Sequence, residues 1–262
     1  MMKAALIQQK VTGSAGANIA RAAELVFASA KEGADIAVLP EMFCCPYDNA
    51  SFVKNAEEAG GRIYSSLSAM AKENEVFLVG GSMPEREGER IYNTSFVFDP
   101  KGALIARHRK AHLFDIDVAG GQRFCESDTF TAGEGPTLFD TPWGRLGVCI
   151  CFDIRFPLFI REYCDRGAKA LLVPAAFNMT TGPLHWELLF RARAVDNQLF
   201  TLGCAPARDR RAGYVSYANS IVCDPWGKIV SRAGASETIL YAQIDLEECD
   251  RVRRQIPVMG KE

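Results

Sequence analysis

Short apolar runs alternate with amphipathic stretches through the first third of the chain. Residues 3–9 and 35–40 read as strands, the alanine-rich stretch 17–31 as a helix, residues 57–73 as a second helix and 76–82 as a further strand. That alternation marks a layered α/β protein. The pattern then shifts to paired apolar segments around turns, at Pro100-Lys101-Gly102, Pro142-Trp143-Gly144 and Pro225-Trp226-Gly227. The fixed φ of proline and the freedom of glycine make each Pro-x-Gly a hairpin. Residues 168–173 and 200–205 read as buried strands flanking a helix over 183–197, in which Leu184, Leu188, Ala192 and Val195 share an apolar face. Trp186, in the same helix, is assigned to the core. No low-complexity linker interrupts the chain, so residues 1–262 are expected to form one domain.

One segment departs from simple packing logic. In GVCICFDIRFP, residues 147–157, the β-formers Val148, Cys149 and Ile150 run into a stretch that reads as helix from Phe156 to Cys164. Cys151 therefore falls on a sharp strand-to-helix bend, where a thiol can face a cleft. Free cysteine is usually a small buried hydrophobe, so Cys151 takes its meaning from partners. Glu41 closes the apolar strand of DIAVLPEMF, and Lys110 ends another in LIARHRKAHLFD. Taken singly, Glu41 reads as a general base no more readily than as an N-cap or a surface ion pair. The cluster Arg107, His108, Arg109, Lys110 reads as a solvated charged edge.

Taken together, Glu41 in LPEMF, Lys110 in RKAHLFD and Cys151 in CICFDIRFP resemble the Glu-Lys-Cys constellation of the nitrilase superfamily of carbon–nitrogen hydrolases. The likeness extends over essentially the whole chain. FCESDTF resembles the family segment with a second glutamate, here Glu126, and FNMTTGPLHWELLFRARAVDNQ the block after the nucleophile. Within the superfamily CPYDN, HLFDIDV, FNMTTGPLHWELL, APARD and DPWGKIV are most similar to the omega-amidase branch.

The resemblance implies a four-layer α-β-β-α sandwich that assembles as dimers or larger oligomers through sheet-edge and helix surfaces. It also implies that Glu41 takes and returns protons, that Lys110 stabilises the oxyanion, and that Glu126 holds Lys110 or assists proton transfer. Arg155, four residues after the nucleophile, offers a planar fork suited to a substrate carboxylate; a salt bridge to Asp153 or to a neighbouring helix is the bland alternative. Phe177, Met179 and Thr181 are expected as pocket walls and Tyr47 as a polar contact. The bond cut would be the terminal amide of 2-oxoglutaramate or 2-oxosuccinamate. Three other readings stay open: a deaminated-glutathione amidase, a branch acting on carbamoyl or nitrile groups, and a non-catalytic binding or assembly protein with the same fold.

The chemistry follows from the residue types. A thiolate attacks the amide carbonyl, ammonia leaves, and water cleaves the thioester. Free cysteine titrates near ~8.5, so a base or a neighbouring cation is needed. A cysteine–histidine hydrolase would have to recruit His108, His112 or His185, and the local signatures of such enzymes are absent around Cys151.

Composition removes several classes. A net charge of -2 leaves no electrostatic footprint for nucleic acid, and no apolar run is long enough to span a membrane. The opening MMKAALIQQ enters a strand without the pattern of a secretory signal. Nine cysteines, an odd number diluted in 262 residues, fit reduced thiols in the cytoplasm. Cys44-Cys45 and Cys149-x-Cys151 lack zinc-ligand spacing, so neither metal nor cofactor is expected.

Overall fold

Residues 170–174 show how the apolar runs are used. Ala170 and Leu172 pack into one core cluster and Leu171 and Val173 into another, so both faces of this strand are covered and it needs no polar alternation. The computed structural model describes residues 1–258; the last four residues of the expected domain lie outside the described residues.

The first half contributes β1 (Met2–Gln8), α1 (Ala15–Lys31), β2 (Ile36–Val38), α2 (Asn49–Asn55), α3 (Arg62–Asn74), β3 (Phe77–Val79), β4 (Met83–Glu87), β5 (Arg90–Phe98) and β6 (Leu104–Arg109). A small hairpin, β7 (Asp115–Asp117) and β8 (Arg123–Cys125), precedes β9 (Thr137–Thr141) and β10 (Gly144–Val148). A 3-10 turn, Cys151–Arg155, leads into α4 (Pro157–Asp165), followed by β11 (Ala170–Pro174), α5 (Gly182–Asn197), β12 (Phe200–Cys204), β13 (Ile221–Cys223), β14 (Ile229–Arg232), β15 (Thr238–Ile244) and α6 (Glu247–Gln255).

Two large sheets result. One runs β15-β1-β2-β3-β5-β4 with β6 on the other side of β5; the other runs β14-β13-β12-β11-β10-β9. Ala4, Leu6, Ile36 and Val38 of the first face Leu146, Val148, Leu172 and Leu202 of the second. On the outer face of the first sheet, Leu78 packs with Ile19 and Val26 of α1 and Leu67 of α3. On that of the second, Leu171 and Val173 pack with Ile160 of α4 and Trp186 and Phe190 of α5. The order is helix, sheet, sheet, helix, as the resemblance implies. All three Pro-x-Gly turns join antiparallel neighbours, β5–β6, β9–β10 and β13–β14. No helix among the described residues is long and apolar enough to cross a membrane.

One expectation changes. The helix expected over 57–73 begins only at Arg62, because Gly60 and Gly61 interrupt the run, Gly60 at φ 95°. The Glu57 carboxylate accepts hydrogen bonds from the N–H groups of Ile63 and Tyr64 and caps α3 from outside the helix. In α5, Leu184, Leu188 and Val195 are 74%, 63% and 48% exposed, so the apolar face they share points outward. The buried face is Trp186, Phe190 and Ala194, spaced four apart. Trp186 belongs to the core as expected, its indole N–H donating to the Asn219 carbonyl at 2.8 Å.

Candidate active site

Glu41 lies just beyond β2, where the chain must turn sharply. Gly81, at φ 60°, packs against this corner, and a Cβ there would stand 2.2 Å from the Pro40 carbonyl oxygen. Met42 takes up the reversal in the left-handed region at φ 50°, its N–H donating to Ser82 Oγ at 3.1 Å. The Glu41 carboxylate is thereby held in the interior. Its Oε1 accepts from Lys110 Nζ at 2.9 Å, Asn93 Nδ2 at 2.9 Å and the Tyr47 hydroxyl at 3.2 Å. Its Oε2 is buried and has no hydrogen-bond partner among the described residues.

Lys110 reaches the same point from β6. Strand periodicity sends Arg107 and Arg109 outward to Glu85 and Glu87, and His108 and Lys110 inward. Lys110 Nζ lies 2.8 Å from Glu126 Oε2 as well as 2.9 Å from Glu41. Glu126 sits at the 3-10 turn after β8; its Oε2 accepts from the Phe114 N–H at 2.7 Å and its Oε1 from the Tyr47 hydroxyl at 2.6 Å. Burial works to lower the Lys110 ammonium's pKa, but the charges of Glu126 and Glu41 outweigh it and raise it, so the group stays protonated. Glu41 is shifted up, by burial first and by Glu126, with Lys110 opposing. Glu41 and Lys110 titrate as one set.

Cys151 comes from the second sheet. It follows β10 at φ 47°, a left-handed conformation that turns the chain out of the strand direction, and its thiol interacts with Glu41 and Lys110 from the first sheet's side. Burial and then the charge of Glu41 push the thiol well above its ordinary value; Lys110 and the backbone N–H of Ala176 act the other way. The resting nucleophile is therefore a neutral thiol beside a carboxylate with an unoccupied oxygen.

Asp153 braces this turn. Its Oδ2 accepts from the Ile150 N–H at 3.0 Å and pairs with His108 Nε2 at 3.0 Å; its Oδ1 accepts from the His112 N–H and pairs with His112 Nδ1, both at 2.9 Å. Burial alone would raise this carboxyl, but the two histidines hold it well below the usual carboxylate range. The alternative of an Arg155–Asp153 salt bridge is thus replaced by a link between the nucleophile turn and the Lys110 strand. His112 also stacks on Phe156, with ring centroids 3.6 Å apart. None of the three histidines hydrogen-bonds to Cys151 among the described residues, which leaves the cysteine–histidine alternative without a base.

Of the other sequence-selected residues, Tyr47 is buried with its hydroxyl between the two glutamates and its ring stacked on Tyr214 at 4.5 Å. The Arg155 guanidinium lies over the rings of Phe177 at 4.8 Å and Phe152 at 5.4 Å. Thr181 Oγ1 donates to Asn178 Oδ1 at 3.1 Å at the start of α5, and Met179 is 41% exposed beside it. A cleft of about 720 Å³ opens onto Glu41 and Tyr47, walled by Gln122, Phe124, Ala176 and Tyr214. Of the sequence-selected residues only Glu41 and Tyr47 line it; Cys151, Lys110, Glu126 and Arg155 stand behind this wall, and Phe177, Met179 and Thr181 lie on the α5 side. Among the described residues no group of three or more His, Cys, Asp or Glu is disposed to hold a metal. Between Glu41 and Glu126, where a cation would be drawn, stands Lys110 Nζ.

Sequence reasoning missed Asn93, Tyr214 and the bracing role of Asp153. Asn93 has a visible signal, an amide inside the apolar strand IYNTSFVF, where burial without a partner is costly.

Comparison with known proteins shows the family and the fold. Residues 3–254 match the family model of carbon-nitrogen hydrolases. The protein named omega-amidase NIT2 from Mus musculus is 48% identical over 255 residues, 97% of this chain and 92% of the relative. Its namesake from Homo sapiens is 46% identical over 254 residues, 97% and 92%. The crystal structure of Saccharomyces cerevisiae Nit3, a member of branch 10 of the nitrilase superfamily, superposes with a TM-score of 0.91 at 40% identity, covering 99% of this chain and 96% of that one.

Proposed function

This chain belongs to the carbon-nitrogen hydrolase family, an amidase of the nitrilase superfamily acting on linear amides, and from that premise we propose that it is an omega-amidase. It removes the terminal amide of 2-oxoglutaramate or 2-oxosuccinamate, giving the 2-oxo acid and ammonia through a Cys151 thioester. The observation that carries this reading is Arg155. Its guanidinium is half-buried near the nucleophile, forms no salt bridge among the described residues, and has a buried Nε without a partner. A cation so placed is completed by the carboxylate of a small acidic substrate.

The contacts of Glu41 and Lys110 support the following steps. As Cys151 Sγ attacks the amide carbon, its proton passes to Glu41. Lys110 has three N–H donors, of which Glu41 and Glu126 take two, leaving the third for the oxyanion. Collapse of the adduct expels the nitrogen, which takes the proton from Glu41 and leaves as ammonia. Glu41 then takes a proton from water as it attacks the thioester, and the thiol is restored with release of the acid. Tyr47 and Asn93 keep the glutamates in place.

The size of the cleft favours a second reading. At about 720 Å³ it leaves room for a longer 2-oxo amide such as deaminated glutathione. Ammonia release from 2-oxoglutaramate, deaminated glutathione and an N-carbamoyl amine, measured in parallel, separates the branches. Dominant turnover of 2-oxoglutaramate supports the omega-amidase reading, and preference for either of the others overturns it. Arg155→Lys is expected to raise KM for 2-oxoglutaramate roughly tenfold or more, since a point charge does not replace a bidentate fork, while Cys151 stays alkylatable; unchanged kinetics remove Arg155 from the site.

Assembly as a homodimer or larger oligomer is part of the same proposal. Leu158 of α4 and Leu184 and Leu188 of the neighbouring α5 are 82%, 74% and 63% exposed, a stripe of the kind that protein interfaces cover. Solution mass tests this, and a monomer at high concentration refutes it. Nine diluted cysteines support a reducing compartment, the cytoplasm.

A further inference from the structure

The hydrogen bond that Arg155 makes is unusual for a half-buried arginine. Its Nη1 lies 3.2 Å from His185 Nδ1, and no carboxylate shares the guanidinium among the described residues. A guanidinium has no acceptor, so the imidazole nitrogen facing it accepts, and the ring is neutral with its proton on Nε2. His185 is itself fixed, on the first turn of α5, by its N–H donating to the Thr181 carbonyl at 2.8 Å. From the same helix Arg193 Nε donates to the Ile154 carbonyl at 2.9 Å and its Nη2 to the Arg155 carbonyl at 3.3 Å. The α5 helix thus holds both the backbone and the side chain of Arg155.

We propose that His185 is a positioning residue for substrate binding: as a neutral acceptor it orients the Arg155 fork toward the substrate carboxylate without cancelling its charge. The inference rests on the reading of Arg155 as the carboxylate anchor. An aspartate at position 185 would hold the fork equally well, but it would neutralise the cation and compete with the substrate. A lysine would repel it. A neutral imidazole orients and leaves the full positive charge for the ligand. Protonation of the ring removes the acceptor and puts a like charge against the guanidinium, so both effects oppose substrate binding. Burial and the Arg155 charge lower the ring's pKa from the ordinary 6.5, which keeps the acceptor form dominant at neutral pH. Glu187, the nearest carboxylate along the helix, is engaged with Arg191 and Arg232 at 3.4 and 2.9 Å.

The test compares 2-oxoglutaramate with butyramide, a neutral amide, as substrates for the full-length enzyme from pH 5 to pH 8. His185→Leu is expected to raise KM for 2-oxoglutaramate about tenfold at pH 7, the scale of one lost hydrogen bond to a charged group, with kcat little changed. KM for butyramide should not follow. In wild type, KM for 2-oxoglutaramate should climb as the pH falls below the ordinary histidine range. His185→Asn, whose Oδ1 accepts from about the same place and does not titrate, should keep the low KM and lose that climb. Equal losses on both substrates, an unchanged KM in His185→Leu, or an acid climb that survives in His185→Asn would each overturn the proposal. Arg155→Lys separates the two layers: if it abolishes the preference for the acidic amide while His185→Leu does not, only the role of His185 fails. If neither variant alters that preference, the anchoring role of Arg155 fails with it.

Discussion

Cys151→Ala is expected to lower kcat for amide hydrolysis by about a millionfold, the scale on which loss of a covalent nucleophile acts, with little change in thermal stability. The substitution removes one sulfur atom from a buried site and leaves a residue that bears the same left-handed φ of 47°. Among the described residues no other thiol hydrogen-bonds to the Glu41 carboxylate, whose Oε1 is tied to Lys110, Asn93 and Tyr47. Rapid acid quenching of the wild type during turnover should trap the acyl group on Cys151, read as an increase in intact mass that Cys151→Ala does not show. Turnover near the wild-type rate in the alanine variant, or an acyl group on another residue, would refute the thioester route.

Lys110→Met should cost both activity and stability. Removing an oxyanion donor typically lowers kcat by about a hundredfold to a thousandfold. The same change leaves Glu41 and Glu126 facing each other in the interior without their shared cation, and breaking a buried charge pair in this way typically destabilises by about 3–5 kcal/mol. The pH dependence is a signature of this cause. With the ammonium gone, the folded state holds a proton on the glutamate pair more tightly than the unfolded chain does. Stability relative to wild type should therefore be best in acid and fall as the pH rises through the elevated pKa of Glu41. Adding Glu126→Gln removes one of the opposed charges and should recover stability without recovering activity. Denaturant unfolding at pH 5 and pH 8, beside the ammonia assay, checks both parts; a single variant with full stability at pH 8 would mean that the cluster is not coupled as described.

How much of this was legible in the chain depended on where each signal is stored. The doubly covered strand Ala170–Pro174 was readable as a continuous apolar run, and the hairpins as Pro-x-Gly, because those features are local. The RHRK stretch read as a solvated edge, since composition does not show that strand alternation would turn Arg107 and Arg109 outward and bury Lys110; only its pairing with Glu41 and Cys151 in a family pattern revealed it. The start of α3 was misplaced because its cap is Glu57, a side chain outside the helix. That the shared apolar face of α5 points outward was not readable, because helix periodicity says which residues share a side, not which side the sheet is on. Asp153 could not be read as a brace, since its partners His108 and His112 lie on another strand and its connecting loop.

The two catalytic sheets have a further meaning for how the chain acquires activity. Glu41, Lys110 and Glu126 all precede β9, and Cys151 and Arg155 follow β10. A fragment ending before β9 would carry the base and the oxyanion donor with nothing to attack; one starting there would carry the nucleophile with nothing to receive its proton. Hydrolysis therefore reports the docking of the two halves of the sandwich in register, and a nascent or half-folded chain is chemically silent until that seam has closed.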